Sequence, residues 1–245
     1  MTQRFGNSPG QRIGARPNVP KARLAVDDTG ISRTTFDRRV FLGAAAAALA
    51  TPALAAESAS REFRIIRDGD DIGSHKLDAV MGPDGFEIAI TIRIAVKVLG
   101  ITAYRYEMDN REVWKGGAIL SVDSKVNDDG TRDFFRATRA TDAVAIKGSR
   151  HSGKVPLDAV TTSYYATPFL KRRPWLSTQS GAPLDLTVNP GGKANWWAVR
   201  GELDTDLGYD ASGEWVACEF DAGGEQARYE IAGGSGKIGA LWAAA

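Results

Sequence analysis

One cysteine and two histidines in 245 residues leave little material for several familiar chemistries. A single Cys excludes a disulfide framework and any multi-cysteine metal cluster within the chain. Two His with no His-x-x-x-His spacing and no nearby Cys fall short of a zinc ligand set, unless carboxylates are recruited from distant strands. The Gly-x-Ser-x-Gly nucleophile elbow is absent, so a hydrolase triad has no sequence support. Charge of one sign is lacking too: 31 Lys plus Arg stand against 30 Asp plus Glu, with a pI of about 7.8. That balance gives no broad electrostatic case for nucleic-acid binding. No run of 18 apolar residues is uninterrupted, so no transmembrane segment is expected in the mature chain. What is present is 43% apolar residues, 27 Gly and 10 Pro, the composition of a globular protein with one large or two small domains.

The front of the chain reads as an address. Residues 1–37 are rich in Arg, Gly, Pro and polar side chains and show no apolar period. Arg38-Arg39-Val40-Phe41-Leu42 then opens a Gly/Ala run that ends in Ala53-Leu54-Ala55, so a charged region meets a short apolar core and a small-x-small cleavage site. The pattern resembles a twin-arginine export signal, carried by Arg38, Arg39, Phe41 and Leu42, although Asp37 stands where Ser or Thr is usual. The resemblance implies a twin-arginine translocase and a signal peptidase as partners during export, and a periplasmic or secreted mature protein. Eight basic and three acidic residues precede Ala56, which leaves 23 Lys plus Arg against 27 Asp plus Glu, a balance of −4. No cofactor is expected.

The remainder reads as strands. Phe86, Ile88, Ile90, Ile92, Ile94, Val96 and Val98 alternate with residues that include Glu87, Thr91, Arg93 and Lys97. Thirteen residues of period two predict one long, half-buried strand of roughly 40 Å at ~3.3 Å per residue, which suits a curved antiparallel sheet. Turn signals such as Asp68-Gly69, Gly82-Pro83-Asp84-Gly85, Asp128-Asp129-Gly130 and Gly191-Gly192 recur at short spacing. The fold class is therefore all-β: a large antiparallel curved sheet wrapped as a barrel or β-spiral, with one short helix over residues 162–170. Residues 1–55 are assigned to the signal peptide, 56–232 to a single all-β domain, and 233–245 to a Gly/Ala-rich tail that begins as a linker.

Several short motifs follow one another in register. Asp68-Gly69-x-x-Ile72-Gly73-x-His75, Tyr104-Arg105-Tyr106-Glu107, Glu112-x-Trp114-x-x-Gly117, Thr162-Ser163-Tyr164-Tyr165, Thr178-Gln179-Ser180-Gly181 and Tyr209-Asp210-Ala211-Ser212-Gly213-x-Trp215 span 148 residues. Together they resemble the exported proteobacterial family known as domain of unknown function 6134. Tyr165 and Gly208 each stand where that family leads one to expect Trp. The resemblance implies fold and location but no activity; its pattern is loosely similar to envelope β-sheet proteins that wrap an apolar groove.

Few residues are candidates for chemistry. His75 shares a face with Gly73, Leu77, Ala79 and Met81 and therefore points inward, either as a satisfied core residue or as an acid, base or ligand contact. Tyr104, Tyr106 and Met108 share another face. With Trp114 and Tyr164 they either fill the core or line a cavity for an apolar ligand, with His75 and the Tyr hydroxyls as polar handles. Lys171-Arg172-Arg173-Pro174-Trp175 is a basic cluster that reads either as a solvated turn or as a contact for a partner or anionic lipid. Cys218 alternates with Val216 and Phe220 as a small core residue. Glu107, Asp109, Glu112 and Asp128 form no catalytic carboxylate spacing and read as edge and turn residues. The expectation is a non-catalytic, exported envelope protein that binds an apolar or lipid-like ligand. A cofactor-independent enzyme using His75, and a structural or interaction module, are the alternatives.

Overall fold

The computed structural model describes residues 57–98, 100–222 and 224–245. The first eight strands run β1 (Ser58–Arg67), β2 (Asp70–Gly82), β3 (Gly85–Val98), β4 (Ile101–Lys115), β5 (Ala118–Asp128), β6 (Thr131–Arg139), β7 (Val144–Gly148) and β8 (Ser152–Val155). Next come β9 (Val160–Thr161), a 3-10 turn over Thr167–Lys171, β10 (Trp175–Leu176) and β11 (Pro183–Leu184). The last strands are β12 (Leu186–Pro190), β13 (Trp196–Gly201), β14 (Thr205–Tyr209), β15 (Trp215–Asp221) and β16 (Gln226–Ser235), and helix α1 (Ile238–Ala244) ends the chain.

Thirteen strands form one antiparallel sheet in the order β12-β13-β14-β15-β16-β1-β2-β3-β4-β5-β6-β7-β8. The all-β expectation holds. Among the described strands no pairing joins β8 to β12, so the sheet is open and does not close into a barrel. The two halves of the chain meet where β16 pairs with β1, and every other neighbour in the sheet is a hairpin partner. The long alternating segment is β3, paired along its length with β2 and β4.

Its inward side chains lose their cover progressively along the strand. Phe86, Ile88 and Ile90 are buried, whereas Ile92 and Ile94 are only half-buried. The neighbouring β4 shows the same gradient in reverse, from exposed Tyr104 through half-buried Tyr106 to buried Met108, Asn110, Glu112 and Trp114. One end of this sheet face is therefore packed, and the other lacks a complete cover. The cover comes from the chain between β8 and β12, whose three short strands pair in the order β11-β10-β9. Phe169 of that segment lies 5.2 Å from the Trp114 ring, and Tyr165 lies 5.7 Å from Phe86. Burial of these large aromatics supplies the main apolar driving force for docking the segment.

Three local expectations change. The helix expected over residues 162–170 is a 3-10 turn that starts only at Thr167. Ser163 and Tyr165 point their hydroxyls at a carboxylate in β4, and the stretch between them turns through Tyr164 at φ 58° rather than running on as a helix. The linker expected from Gly233 is strand instead, since Gly233 and Gly234 pair with Glu62 and Arg61 and Ser235 with Ser60. The 232/233 boundary thus falls inside β16. Beyond it, the Ala-rich end folds as α1, with Leu241 and Trp242 buried. Trp242 packs edge-on against Trp114 and Phe169, at 5.8 and 5.2 Å. Among the described residues no helix is long and apolar enough to cross a membrane.

Trp242→Ala is expected to lower the unfolding free energy by about 3–5 kcal/mol, the usual cost of emptying a buried Trp site. Chemical denaturation followed by circular dichroism measures it. An unchanged midpoint would mean that α1 adds nothing to the core.

Candidate functional site

A cavity of about 730 Å³ opens where the sheet face loses its cover. One wall is apolar and belongs to the sheet: Ile90, Ile92 and Ile94 of β3 and Met108 of β4. The facing wall is polar and comes from the covering segment: Thr162, Ser163, Thr178, Gln179 and Ser180. Phe220 and Tyr229, from β15 and β16, close one side.

Strand register sets the order of side chains along the apolar wall. His75 pairs with Ile92, Ile92 with Met108, Met108 with Val126, and Val126 with Asp133. An imidazole and a carboxylate therefore flank Ile92, Met108 and Val126 in one row, which continues past His75 to Phe63 of β1; His75, Ile92 and Met108 are its members in the cavity lining. At the carboxylate end, Gln179 donates to Asp128 (3.2 Å) and to Asp133 (3.1 Å), and Tyr104 donates its hydroxyl proton to Asp128 (2.8 Å). Arg150, which also lines the cavity, lies 3.9 Å from Asp133. The Ser149 hydroxyl bond is the main influence holding the Asp133 carboxyl below the usual range.

His75 occupies the other end. Its ring is 2% exposed and sits among Phe63, Trp215 and Tyr229, with centroids at 6.2, 5.3 and 5.5 Å. Neither ring nitrogen has a hydrogen-bond partner among the described residues. Burial alone pushes the imidazolium pKa down to about 3, so the ring is neutral at pH 7. The Tyr104 and Tyr106 hydroxyls are pushed upward, chiefly by burial, as is that of Tyr164. None of these tyrosines ionises near neutrality; all serve as neutral donors and acceptors.

Four of the five expected ligand contacts, His75, Tyr104, Tyr106 and Tyr164, line this one cavity. Trp114 does not. It is fully buried beyond the cavity's packed end and donates its indole N–H to Glu112 at 3.0 Å. Glu112 corrects the expectation of an edge or turn carboxylate: it is 0% exposed at an inward position of β4. Its two oxygens accept from Asn110 (2.8 Å), Trp114 (3.0 Å), Thr161 (3.2 Å), Ser163 (2.6 Å) and Tyr165 (3.0 Å). The period-two pattern already contained the signal, because Tyr104, Tyr106, Met108, Asn110, Glu112 and Trp114 are alternate residues of one strand. Gln179, Arg150 and Ser163 also escaped the sequence reading, since their place on the wall depends on how residues 149–184 fold back.

The basic corner does not act as one surface. Lys171 and Arg173 are exposed, but Trp175 is fully buried and donates its indole N–H to the Phe169 carbonyl. Arg172 donates to the carbonyls of Gly117, Asp158 and Leu157 and lies over the Trp242 ring, so it clamps the covering segment to the sheet. Burial is the larger influence on its guanidinium and lowers its pKa. Cys218 is buried, with its thiol pushed up to about 12 by burial first, which leaves it protonated and unreactive at neutral pH. Arg38, Arg39, Phe41 and Leu42 lie outside the described residues.

No Gly-x-Gly-x-x-Gly loop was expected after a strand, yet Gly234-Ser235-Gly236-Lys237-Ile238-Gly239 has that dinucleotide-binding spacing. Here it joins an antiparallel strand to a seven-residue helix. The Glu214 carboxylate already accepts from the Gly239 and Ala240 N–H groups at 3.0 and 3.1 Å. An anion in that place would meet a negative side chain, so the loop serves to anchor α1.

The family described as "Domain of unknown function (DUF6134)" matches residues 63–232, and the chain belongs to it. No curated protein and no solved structure matches the chain. At Gly208, where Trp was expected, the Trp196 ring of the paired strand fills the space: a Cβ on Gly208 would come within 2.8 Å of it. At Tyr165 the phenol hydroxyl supplies the bond to Glu112 that an indole N–H could equally make.

Glu112→Leu strands five donors at once and is expected to cost about 3–5 kcal/mol of stability, read from denaturant midpoints. His75 predicts a pH dependence. Its folded pKa is depressed below 6.5, so the unfolded chain binds the extra proton and native stability falls as pH drops from 6.5 toward 3. Relative to His75→Phe, the wild type is expected to lose up to about 1.4 kcal/mol per pH unit across that window. Parallel stability curves for the two proteins would contradict it.

Proposed function

We propose that this member of the DUF6134 family is an exported cell-envelope protein, periplasmic or secreted, which binds an apolar or lipid-like ligand in the groove of its sheet without converting it. The observation that carries the reading is the cavity of about 730 Å³, with Ile90, Ile92, Ile94 and Met108 forming an apolar wall opposite a polar one that includes Thr162, Ser163, Thr178, Gln179 and Ser180. Small-molecule sites are concave spaces of hundreds of cubic ångströms in which apolar surface takes up the ligand body and placed polar groups fix its orientation. Export is supported by the Arg38-Arg39-x-Phe41-Leu42 pattern and the Ala53-Leu54-Ala55 cleavage signal, which bring in the twin-arginine translocase and signal peptidase as transient partners.

An acid–base role for His75 fits the site less well. A group whose conjugate acid has a pKa of about 3 is not a proton donor as imidazolium at pH 7, and it is a weak base. Its surroundings are aromatic rather than charged. They suit orientation of a bound molecule better than movement of a proton.

Titration with phenylnaphthylamine, a neutral apolar fluorophore, tests the reading. The wild type is expected to give saturable enhancement at one site, and Ile92→Trp, which fills the cavity from its sheet wall, to weaken it at least about tenfold without loss of fold. Equal enhancement in both proteins, or none in the wild type, would overturn it.

A further inference from the structure

The two carboxylates in the lining of this cavity face neutral partners only. One oxygen of Asp128 accepts the Tyr104 hydroxyl at 2.8 Å and the other accepts the Gln179 amide N–H at 3.2 Å. Glu202, exposed at the margin, accepts the Asp185 N–H at 2.6 Å. Neither carboxylate has an ion-pair partner among the described residues. A carboxylate offers about four acceptor positions, so Asp128 keeps capacity that the protein does not use.

The cation in the lining is placed differently. Arg150 lies 3.9 Å from Asp133, a buried carboxylate outside the lining. The charge of Arg150 is thus met by the protein itself, and the lining keeps a surplus of negative charge. Lys97 and Arg105, the cations of the β3–β4 hairpin beyond Ile94, do not line the space.

The wider surroundings have the same sign. Antiparallel order brings the β1–β2, β3–β4, β5–β6, β13–β14 and β15–β16 turns to the end of the sheet at which the cavity opens, beside Ile94 and Tyr104. The residues between those strand pairs include Asp68, Asp129, Glu202, Asp204 and Glu225, and no Lys or Arg. Of these five, only Glu225 has an ion pair among the described residues, with Arg67 at 3.3 Å. A rim of one sign around a low-dielectric cleft focuses the field and raises the local concentration of the opposite charge. Within the cleft, the rings of Tyr104, Tyr106 and Tyr229 add π faces, which attract cations.

We infer that the ligand is a cationic amphiphile, with an ammonium group held by Asp128 at the mouth and a hydrocarbon body lying on Ile92, Ile94 and Met108. The inference rests on the apolar-ligand reading and adds the charge of the ligand and the residue that selects it. A carboxylate or phosphate head in the same place would meet Asp128 and Glu202, so the site also rejects anions.

Calorimetric titration with octylamine, octanol and octanoate separates charge from chain, because at neutral pH the three carry one hydrocarbon tail as cation, neutral molecule and anion. The wild type is expected to bind octylamine at least about tenfold more tightly than octanol, and octanoate more weakly than octanol. Asp128→Asn is expected to leave octanol unchanged and to bring octylamine within about threefold of it. Equal affinities for octylamine and octanol, or tighter binding of octanoate, would overturn the inference and leave the apolar site standing. A preference for octylamine that survives Asp128→Asn intact would overturn the assignment to Asp128. Failure of all three probes to bind would overturn the apolar site and the inference together. A second readout needs no variant. Added sodium chloride is expected to weaken octylamine binding to the wild type while octanol is unaffected, and salt dependence identical for the two would contradict a charged contact.

Discussion

A fully buried carboxylate holds this molecule in its working form. Glu112 sits in the middle of β4 and receives donors from its own strand, Asn110 and Trp114, and from a segment some fifty residues on, Thr161, Ser163 and Tyr165. The nearest donors are neutral, so the site is held by hydrogen bonds rather than by an ion pair. Such a group is tolerable in the interior only when its acceptor capacity is filled. The consequence is positional. The stretch that satisfies Glu112 also carries Thr162, Ser163 and Tyr164, which form part of the polar wall of the cavity.

The cavity follows from that pin together with the geometry of a long hairpin. Strands β3 and β4 keep strict inward–outward alternation from the packed end, at Phe86 and Trp114, to the open end, at Ile94 and Tyr104. The covering segment is fastened at the packed end by Glu112, by Arg172 on the Gly117 carbonyl, and by the Trp114–Phe169–Trp242 stack. Nothing of comparable bulk fills the other end, so the same apolar pattern that makes a core at Ile88 makes a lining at Ile92. His75 and Asp133 flank one apolar row of this sheet face, of which His75, Ile92 and Met108 line the space.

What was legible in the sequence was whatever local periodicity controls. The alternation of residues 86–98 announced β3, the inward face of residues 73–81 placed His75, and the Tyr104–Tyr106–Met108 face placed three lining side chains. Less legible was anything that depends on a distant segment folding back. Trp175 looked like part of a basic surface because its burial depends on β9 and β11 beside it. The Gly233–Gly234 stretch looked like a linker because its ladder partners lie about 170 residues earlier in β1. Glu112 is the instructive case: it stood at an inward position of a strand whose period was already evident, and its charge obscured what its position stated.

The most direct test of the account is native mass spectrometry of the protein recovered from its own cells, followed by solvent extraction of whatever it carries. The account predicts a stoichiometric apolar or lipid-like molecule that is lost when Ile92 is replaced by Trp. A protein that emerges repeatedly at its bare polypeptide mass, with nothing enriched in the extract, would contradict it.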